Sequence, residues 1–149
     1  MSVALLDVNV LVALFDPIHV HHEAAHRWFI RDRKHGWATC PITLNGCIRI
    51  LSGPFYPSFD ATPAEVVRHL KALSAAPDHH FWPDSVTLLD ETLINPGQLG
   101  GHKHITDVYL LALAVRNHGR LATFDRSIPL KAIHGAAPAR LVQIPAPSR

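Results

Sequence analysis

Three aspartates occupy positions from which chemistry is easily assembled. Asp7 directly follows the apolar run 3–6, Asp125 directly follows the apolar run 121–124, and Asp107 falls in the first turn of the strongest helical segment, 106–118. In an open parallel sheet, ligands collect beyond the carboxyl ends of the strands, so the three acids could meet at one edge. Taken singly, each could be a turn or cap residue, and Asp107 suits a helix N-terminus by the dipole alone. Independent capping is a poorer account of two acids leaving matching strand ends with a third nearby. Three carboxylates within a few ångströms repel one another, and must share protons or be neutralised by a cation. Hard oxygen ligands without a His/Cys framework favour Mg²⁺ or Mn²⁺ over zinc. Such an ion polarises a phosphate and lowers the pKa of a bound water, so the implied substrate is a phosphodiester or phosphomonoester.

The elements that must position these acids alternate along the chain. Residues 3–6 read as a buried strand, and 8–15 as a helix ended by Asp16-Pro17. A second helix over 23–34 carries Ala24, Ala25, Trp28 and Phe29 at helical spacing. A strand at 37–40 should enter a helix over 42–51, followed by a Gly53-Pro54 loop running through Pro57. Thr62-Pro63-Ala64-Glu65 combines an N-cap, a proline at the first helical position and a first-turn acid, so a helix should run to residue 75. Strands are expected at 79–82, 121–124 and 141–144, with a Pro/Gly-rich loop at 94–101 and Gly119 closing the helix 106–118. There is no internal repeat or linker. The pattern argues for a single α/β domain over residues 1–149, a mostly parallel central sheet flanked by helices.

Composition narrows the alternatives. Of 149 residues, 48% are hydrophobic and 17% charged, which excludes a disordered or low-complexity chain. The formal charge of +2 does not by itself announce a nucleic-acid binder. The two cysteines, Cys40 and Cys47, match neither a disulfide framework nor a zinc pattern, and read as buried thiols. The opening residues lack a basic leader, and their apolar run is broken by Asp7 and Asn9, so neither signal peptide nor membrane span is expected and the cytoplasm is the default address.

The segments Leu5-Leu6-Asp7-Val8-Asn9-Val10-Leu11, Thr106-Asp107-Val108-Tyr109-Leu110-Leu111-Ala112 and Ala122-Thr123-Phe124-Asp125-Arg126 resemble the three acidic motifs of PIN-domain ribonucleases. Asp16-Pro17 with the His-rich helix after it, and Cys40-Pro41-Ile42-Thr43 through Arg49-Ile50-Leu51, resemble more narrowly the VapC-type toxins of bacterial toxin-antitoxin pairs. The resemblance implies a Mg²⁺-dependent endoribonuclease, with Mn²⁺ a substitute, in which Asp7, Asp107 and Asp125 hold the metal and water attacks the RNA phosphate in line. It also implies a homodimer and a cognate antitoxin that blocks the site. Asn9 and Thr123 match positions beside the acids, where a side-chain oxygen can support a carboxylate or a metal-bound water; local turn hydrogen bonds are the alternative. Two other readings stand beside this one. One is a PIN fold that binds RNA or antitoxin without turnover. The other is a phosphatase of the haloacid dehalogenase type, although Asn9 stands where such an enzyme wants a second Asp.

Histidine is abundant, with twelve residues. His22 and His26 could share a helix face but have no identifiable third partner for zinc. His102 and His104, flanking Lys103, precede Asp107 and could meet phosphate at the site mouth. Arg27 and Arg31, with Arg33 and Lys34, form a basic run that is either a solvated helix face or a track for an RNA backbone. One departure from the family matters: the segment Thr43-Leu44-Asn45-Gly46-Cys47-Ile48-Arg49 holds no acid where the family commonly has a Glu. Asn45 could supply a neutral oxygen, but the centre carries one negative charge fewer. Calorimetric titration with Mg²⁺ or Mn²⁺ should therefore find weaker binding than at a four-acid centre, with one well-occupied ion per chain; two tight sites would contradict this.

Overall fold

A computed structural model describes residues 1–56 and 60–146. The strands are short and almost entirely apolar where the sheet is covered on both faces: β1 (Ala4–Leu6), β2 (Trp37–Thr39) and β4 (Arg120–Thr123) are buried throughout, whereas the outer β3 (His79–Phe81) and β5 (Leu141–Gln143) are partly exposed. They form one sheet of order β3-β2-β1-β4-β5, and every pairing is parallel. Leu5 stands opposite Ala38 on one side and Leu121 on the other. The chain builds outwards from β1 in one direction, then crosses back to add β4 and β5 on the other side. The gap between β1 and β4 is thus the switch point of the sheet, the place where such folds open a crevice.

Helices α1 (Val8–Phe15), α2 (His22–Asp32), α3 (Pro41–Leu51) and α4 (Pro63–Ser74) precede α5 (Ile105–Arg116). Because successive strand residues point to opposite faces, the sheet separates two cores. Ala4, Leu6, Trp37 and Ala122 pack with Val10, Leu11, Trp28, Phe29, Cys47 and Leu70 from α1 to α4. Leu5, Ala38 and Leu121 pack on the other face against Val108, Leu110, Leu111 and Leu113 of α5. Its small and apolar residues let α5 be buried over most of its circumference, which explains the strength of its sequence signal. On the first face, α3 approaches the start of α1 closely because residue 46 is glycine: a Cβ there would stand 2.7 Å from Cγ2 of Val8.

The expected order of elements is the observed one, with shifted boundaries. The second helix stops at Asp32 rather than 34, and the chain tightens into a 3₁₀ turn, Arg33–His35, before Gly36 at φ 89° turns it into β2. Cys40 is the residue before α3 rather than the end of a strand, and Thr43 Oγ1 accepts from its amide at 3.0 Å. The strands all run within one residue of expectation, and the loop at 94–101 includes a 3₁₀ turn, Pro96–Gln98, and a bridge from Ile94 to Ile133. Gly119 is not the left-handed cap of α5. His118 takes that conformation at φ 56°, and Gly119 instead lets Trp82 and the Val3 carbonyl close in, 2.5 and 2.6 Å from where a Cβ would stand. Pro57 lies outside the described residues. Cys40 and Cys47 are buried free thiols, as expected, and burial pushes Cys47 up to about 12.

A nearly buried ion pair fixes the entry of β4. Arg120 donates to both oxygens of Asp32 at 3.3 and 2.8 Å and to the Ser2 carbonyl at 2.6 Å, joining the end of α2 to the sheet. Both side chains are largely removed from water, at 9% and 13% exposure, so removing one leaves the other uncompensated. Arg120→Ala should destabilise the fold by about 3 kcal/mol. Pairing Arg120→Met with Asp32→Leu should recover much of that loss. Urea midpoints of Arg120→Met, Asp32→Leu and their double variant measure it, and an additive double variant would contradict the pairing.

Candidate active site

The switch-point crevice opens where β1 and β4 end, and Asp7 is the first residue past β1. It is buried, at 6% exposure, and its two oxygens are both occupied. Oδ1 accepts from the Val8 amide at 2.7 Å, which makes Asp7 the N-cap of α1, and Oδ2 accepts from the Thr123 hydroxyl at 2.7 Å. Burial nonetheless dominates and raises its pKa, with the nearby Asp125 adding to the rise.

Thr123 is the hub of the crevice. Its hydroxyl, fully buried at the end of β4, donates to Asp7 and accepts from the Asp125 amide at 3.0 Å and from the Asn9 side-chain amide at 3.4 Å. Asn9 also accepts from the Phe124 amide at 3.4 Å. The two residues expected to support the acids therefore join β1, α1 and the β4 exit through one hydroxyl. Asp125 is turned into place by Ser127, whose amide and hydroxyl both donate to its Oδ1, at 2.8 and 2.7 Å.

Asp107 reaches the same point from the first turn of α5. Burial raises its pKa to about 7, helped by the charge of Asp7 and by a hydrogen bond with Asp125; the same bond helps hold Asp125 low. The two carboxyls titrate as a coupled pair rather than as independent groups. The three acids expected from the sequence are thus close enough to perturb one another, and a divalent cation is a natural way to neutralise them. This donor set fits a metal ion.

The tightest metal-sized group contains a residue that the acidic pattern does not reveal. A ring nitrogen of His104 lies within 4.8 Å of carboxylate oxygens of both Asp107 and Asp125, which are likewise that close to each other. His104 ends the 3₁₀ turn His102–His104 that feeds α5, one turn before Asp107, so the spacing places it beside the acid. His104 was expected only at the site mouth, and His19 was not expected at the site at all. It lines a cleft of about 390 Å³ with Asp7, Asn9, Val12, Ile50, Tyr56 and Asp107, and its Nδ1 accepts from the His21 amide at 3.0 Å. Burial, with His21 beside it, lowers the His19 pKa. His21 in turn stacks on Phe124, ring centroids 4.8 Å apart, against the residue joining Thr123 to Asp125. The only sequence cue to this collar was the density of histidine around residues 19–26 and 102–104.

Other expected residues stand apart. Asn45 is exposed on α3 and does not line the cleft, although its neighbour Gly46 packs on Val8. Arg27 and Arg31 are exposed on the outer side of α2, along a groove shared with His22, Glu23, His26 and Ile30. Lys103 is exposed directly before His104. His22 and His26 stack on each other, and His22 Nδ1 lies 2.7 Å from the Ala13 carbonyl, a packing role rather than a zinc pair.

The PIN domain family matches residues 4–133, a span that contains all three acids. The chain belongs to the PIN-domain family. Its curated relatives include Ribonuclease VapC44 of Mycobacterium tuberculosis, 45% identical over 144 residues that span 95% of this chain and 99% of the relative. Ribonuclease VapC39 of the same organism is 46% identical over 125 residues, 84% of this chain and 90% of the relative. The crystal structure of Mycobacterium tuberculosis VapC20, described as a sarcin-ricin loop cleaving toxin, superposes with a TM-score of 0.60 over 97% of this chain and 99% of that one. At 12% identity that likeness concerns the fold alone. Within the PIN-domain family, this chain is a VapC-type ribonuclease, and the haloacid dehalogenase alternative falls away.

The raised pKa of Asp107 has a consequence for the stability of this PIN domain. Its folded-state value of about 7 lies above the ordinary 3.8, so the folded chain holds the proton more tightly and metal-free stability falls as pH rises between those values. Asp107→Asn should therefore melt higher than the parent in chelator at about pH 8 and equally at about pH 4. Divalent cation should raise the melting temperature of the parent at the higher pH and leave the variant nearly unmoved. Scanning calorimetry tests this, and an Asp107→Asn protein less stable than the parent at the higher pH would contradict it.

Proposed function

We propose that this chain, a single PIN domain over residues 1–149, is the toxin of a type II toxin-antitoxin pair and hydrolyses RNA phosphodiester bonds internally at a centre formed by Asp7, Asp107 and Asp125. The observation that carries this reading is the meeting of the three acids at the β1/β4 switch point, in a chain 45% identical to a named ribonuclease. The resident cofactor is Mg²⁺, for which Mn²⁺ can substitute. When bound, the ion neutralises phosphate charge and makes water a better nucleophile near neutral pH.

The chain's own groups do the positioning. Asp107 and Asp125 would hold the cation between them. Asp7, held by Thr123 and by the start of α1, is fixed in orientation beside them, and Asn9 fixes the Thr123 hydroxyl that links Asp7 to the backbone of Asp125. Asn45 is the neutral group left on α3 where an acid is missing. Lys103, at the lip, and Arg27 and Arg31, along α2, supply cations to the RNA backbone, which must pass an otherwise acidic crevice. Recognition rests on RNA shape and unstacked segments, because no set of residues here forms a base code.

The same reading includes a homodimer and a cognate antitoxin that covers the site. Exposed Ile18, Val20 and Phe55, neighbours in sequence of the cleft-lining His19 and Tyr56, support a partner whose covering surface is partly apolar. No helix among the described residues is long and apolar enough to cross a membrane. The cytoplasm, where RNA and antitoxin are met, is the proposed location.

Purified protein should cut structured RNAs with Mg²⁺ and not in chelator, and Asp7→Asn should lose at least about 100-fold in rate. RNA binding without cleavage would replace this reading by a non-catalytic PIN module. Joint removal of Arg27 and Arg31 should flatten the salt dependence of RNA binding by about 0.7 per lost phosphate contact, hence about 1.4 in the log-log slope. An unchanged slope would show that α2 does not track the backbone.

A further inference from the structure

His104 stands in the centre in a way that hydrogen bonding does not explain. Asp7 has one protein donor on each oxygen, and in front of it Asp107 and Asp125 come together with an imidazole in a group of metal-binding size. His104 has a ring nitrogen within 4.8 Å of both carboxylates, and its Nδ1 is buried with no hydrogen-bond partner among the described residues. A buried polar nitrogen left unmatched is costly, and native folds ordinarily satisfy it. The space for the ring is also made on purpose. Gly100, at φ 76°, lies under it, and a Cβ at that position would stand 3.1 Å from Cδ2 of His104. Any other residue at position 100 would both strain the backbone and push the imidazole.

From this geometry, and resting on the metal-centre reading above, we infer that His104 is a metal ligand that joins Asp107 and Asp125 in the centre beside Asp7. The nitrogen adds a donor to a centre to which α3 brings no acid, residue 45 being an exposed asparagine. Exchanging a carboxylate for an imidazole changes which ion is preferred. Mg²⁺ is a hard ion that keeps its oxygen ligands and waters, whereas affinity of first-row ions for nitrogen donors rises from Mn²⁺ onwards. The centre therefore binds Mn²⁺ more tightly than Mg²⁺, and the difference resides in one side chain. The anion seen by an approaching phosphodiester is also smaller by one charge than in an all-carboxylate centre, which lowers the repulsion an RNA strand meets.

The test uses the full chain with Mn²⁺ and Mg²⁺ as probes. Pulsed electron paramagnetic resonance of the Mn²⁺-loaded protein should show nitrogen hyperfine coupling from a coordinated imidazole, and His104→Gln and His104→Ala should both abolish it. Calorimetry should find Mn²⁺ bound about tenfold more weakly in either variant, with Mg²⁺ affinity changed by less than about threefold. Circular dichroism melts in chelator establish that both variants are folded. Mn²⁺ bound to the parent without nitrogen coupling, or with equal affinity in the variants, overturns the assignment of His104 and leaves the three-acid reading standing. Failure of the parent to bind either ion at millimolar concentration would instead overturn the metal-centre reading, and the role of His104 with it.

Discussion

Repulsion between carboxylates is the constraint on which the rest of this structure turns. Asp7, Asp107 and Asp125 come from three distant parts of the chain; burial, with neighbouring acids adding, raises the pKa of Asp7 and Asp107, while bonds from Ser127 and Asp107 hold Asp125 low. A fold that holds such a group together must oppose the repulsion with rigid backbone. Here that rigidity comes from a central parallel sheet buried on both faces, with β1 and β4 side by side and registered from Ala4–Arg120 to Leu6–Ala122. The Asp7 amide continues the ladder by donating to the Ala122 carbonyl at 2.9 Å. Asp7 and Asp125 therefore cannot separate without disturbing the sheet's central pairing.

One hydroxyl converts that backbone register into side-chain geometry. Thr123 is buried between Asp7 and the Asp125 amide, so the orientation of the first acid and the course of the chain leading to the third are set by the same atom. Helix α1 adds its N-terminal amide to Asp7, and α3 can approach α1 closely only because Gly46 has no side chain. The nearly buried Arg120–Asp32 pair at the opposite end of β4 keeps α2 and its histidines in position. Stability and site geometry are therefore consequences of the same contacts, and neighbouring substitutions in this network should not act additively.

Much of this was legible in the residues. Apolar runs that stop at an acid, such as 3–6 before Asp7, mark both a buried strand and a functional edge, and they placed the sheet and the acids together. The Thr62-Pro63 start of α4 and the Leu/Ala run of α5 were equally plain, because caps and burial act locally. Long-range packing was not legible. Gly119 looked like a helix cap by its position, but its lack of a side chain serves Trp82 and Val3, which are distant in sequence. The helix 23–34 tightened at Arg33 because the chain must turn at Gly36, where the Arg33 guanidinium meets Asp78 at 2.7 Å. Among the histidines, His102 and His104 were legible as neighbours of Asp107 at the site mouth, but not the close approach of the His104 ring to both carboxylates. His104 belongs to the centre because a 3₁₀ turn folds it back toward Asp107 and Asp125, and a turn of that kind leaves little periodic trace.

In the proposed centre the acids share a single cation between α5 and the exit of β4. Anomalous diffraction at the manganese edge from crystals grown with Mn²⁺ tests this most directly. One strong peak is expected between Asp107 and Asp125, with Asp7 beside it. A peak elsewhere, or no peak between Asp107 and Asp125 at saturating Mn²⁺, would overturn the proposed centre.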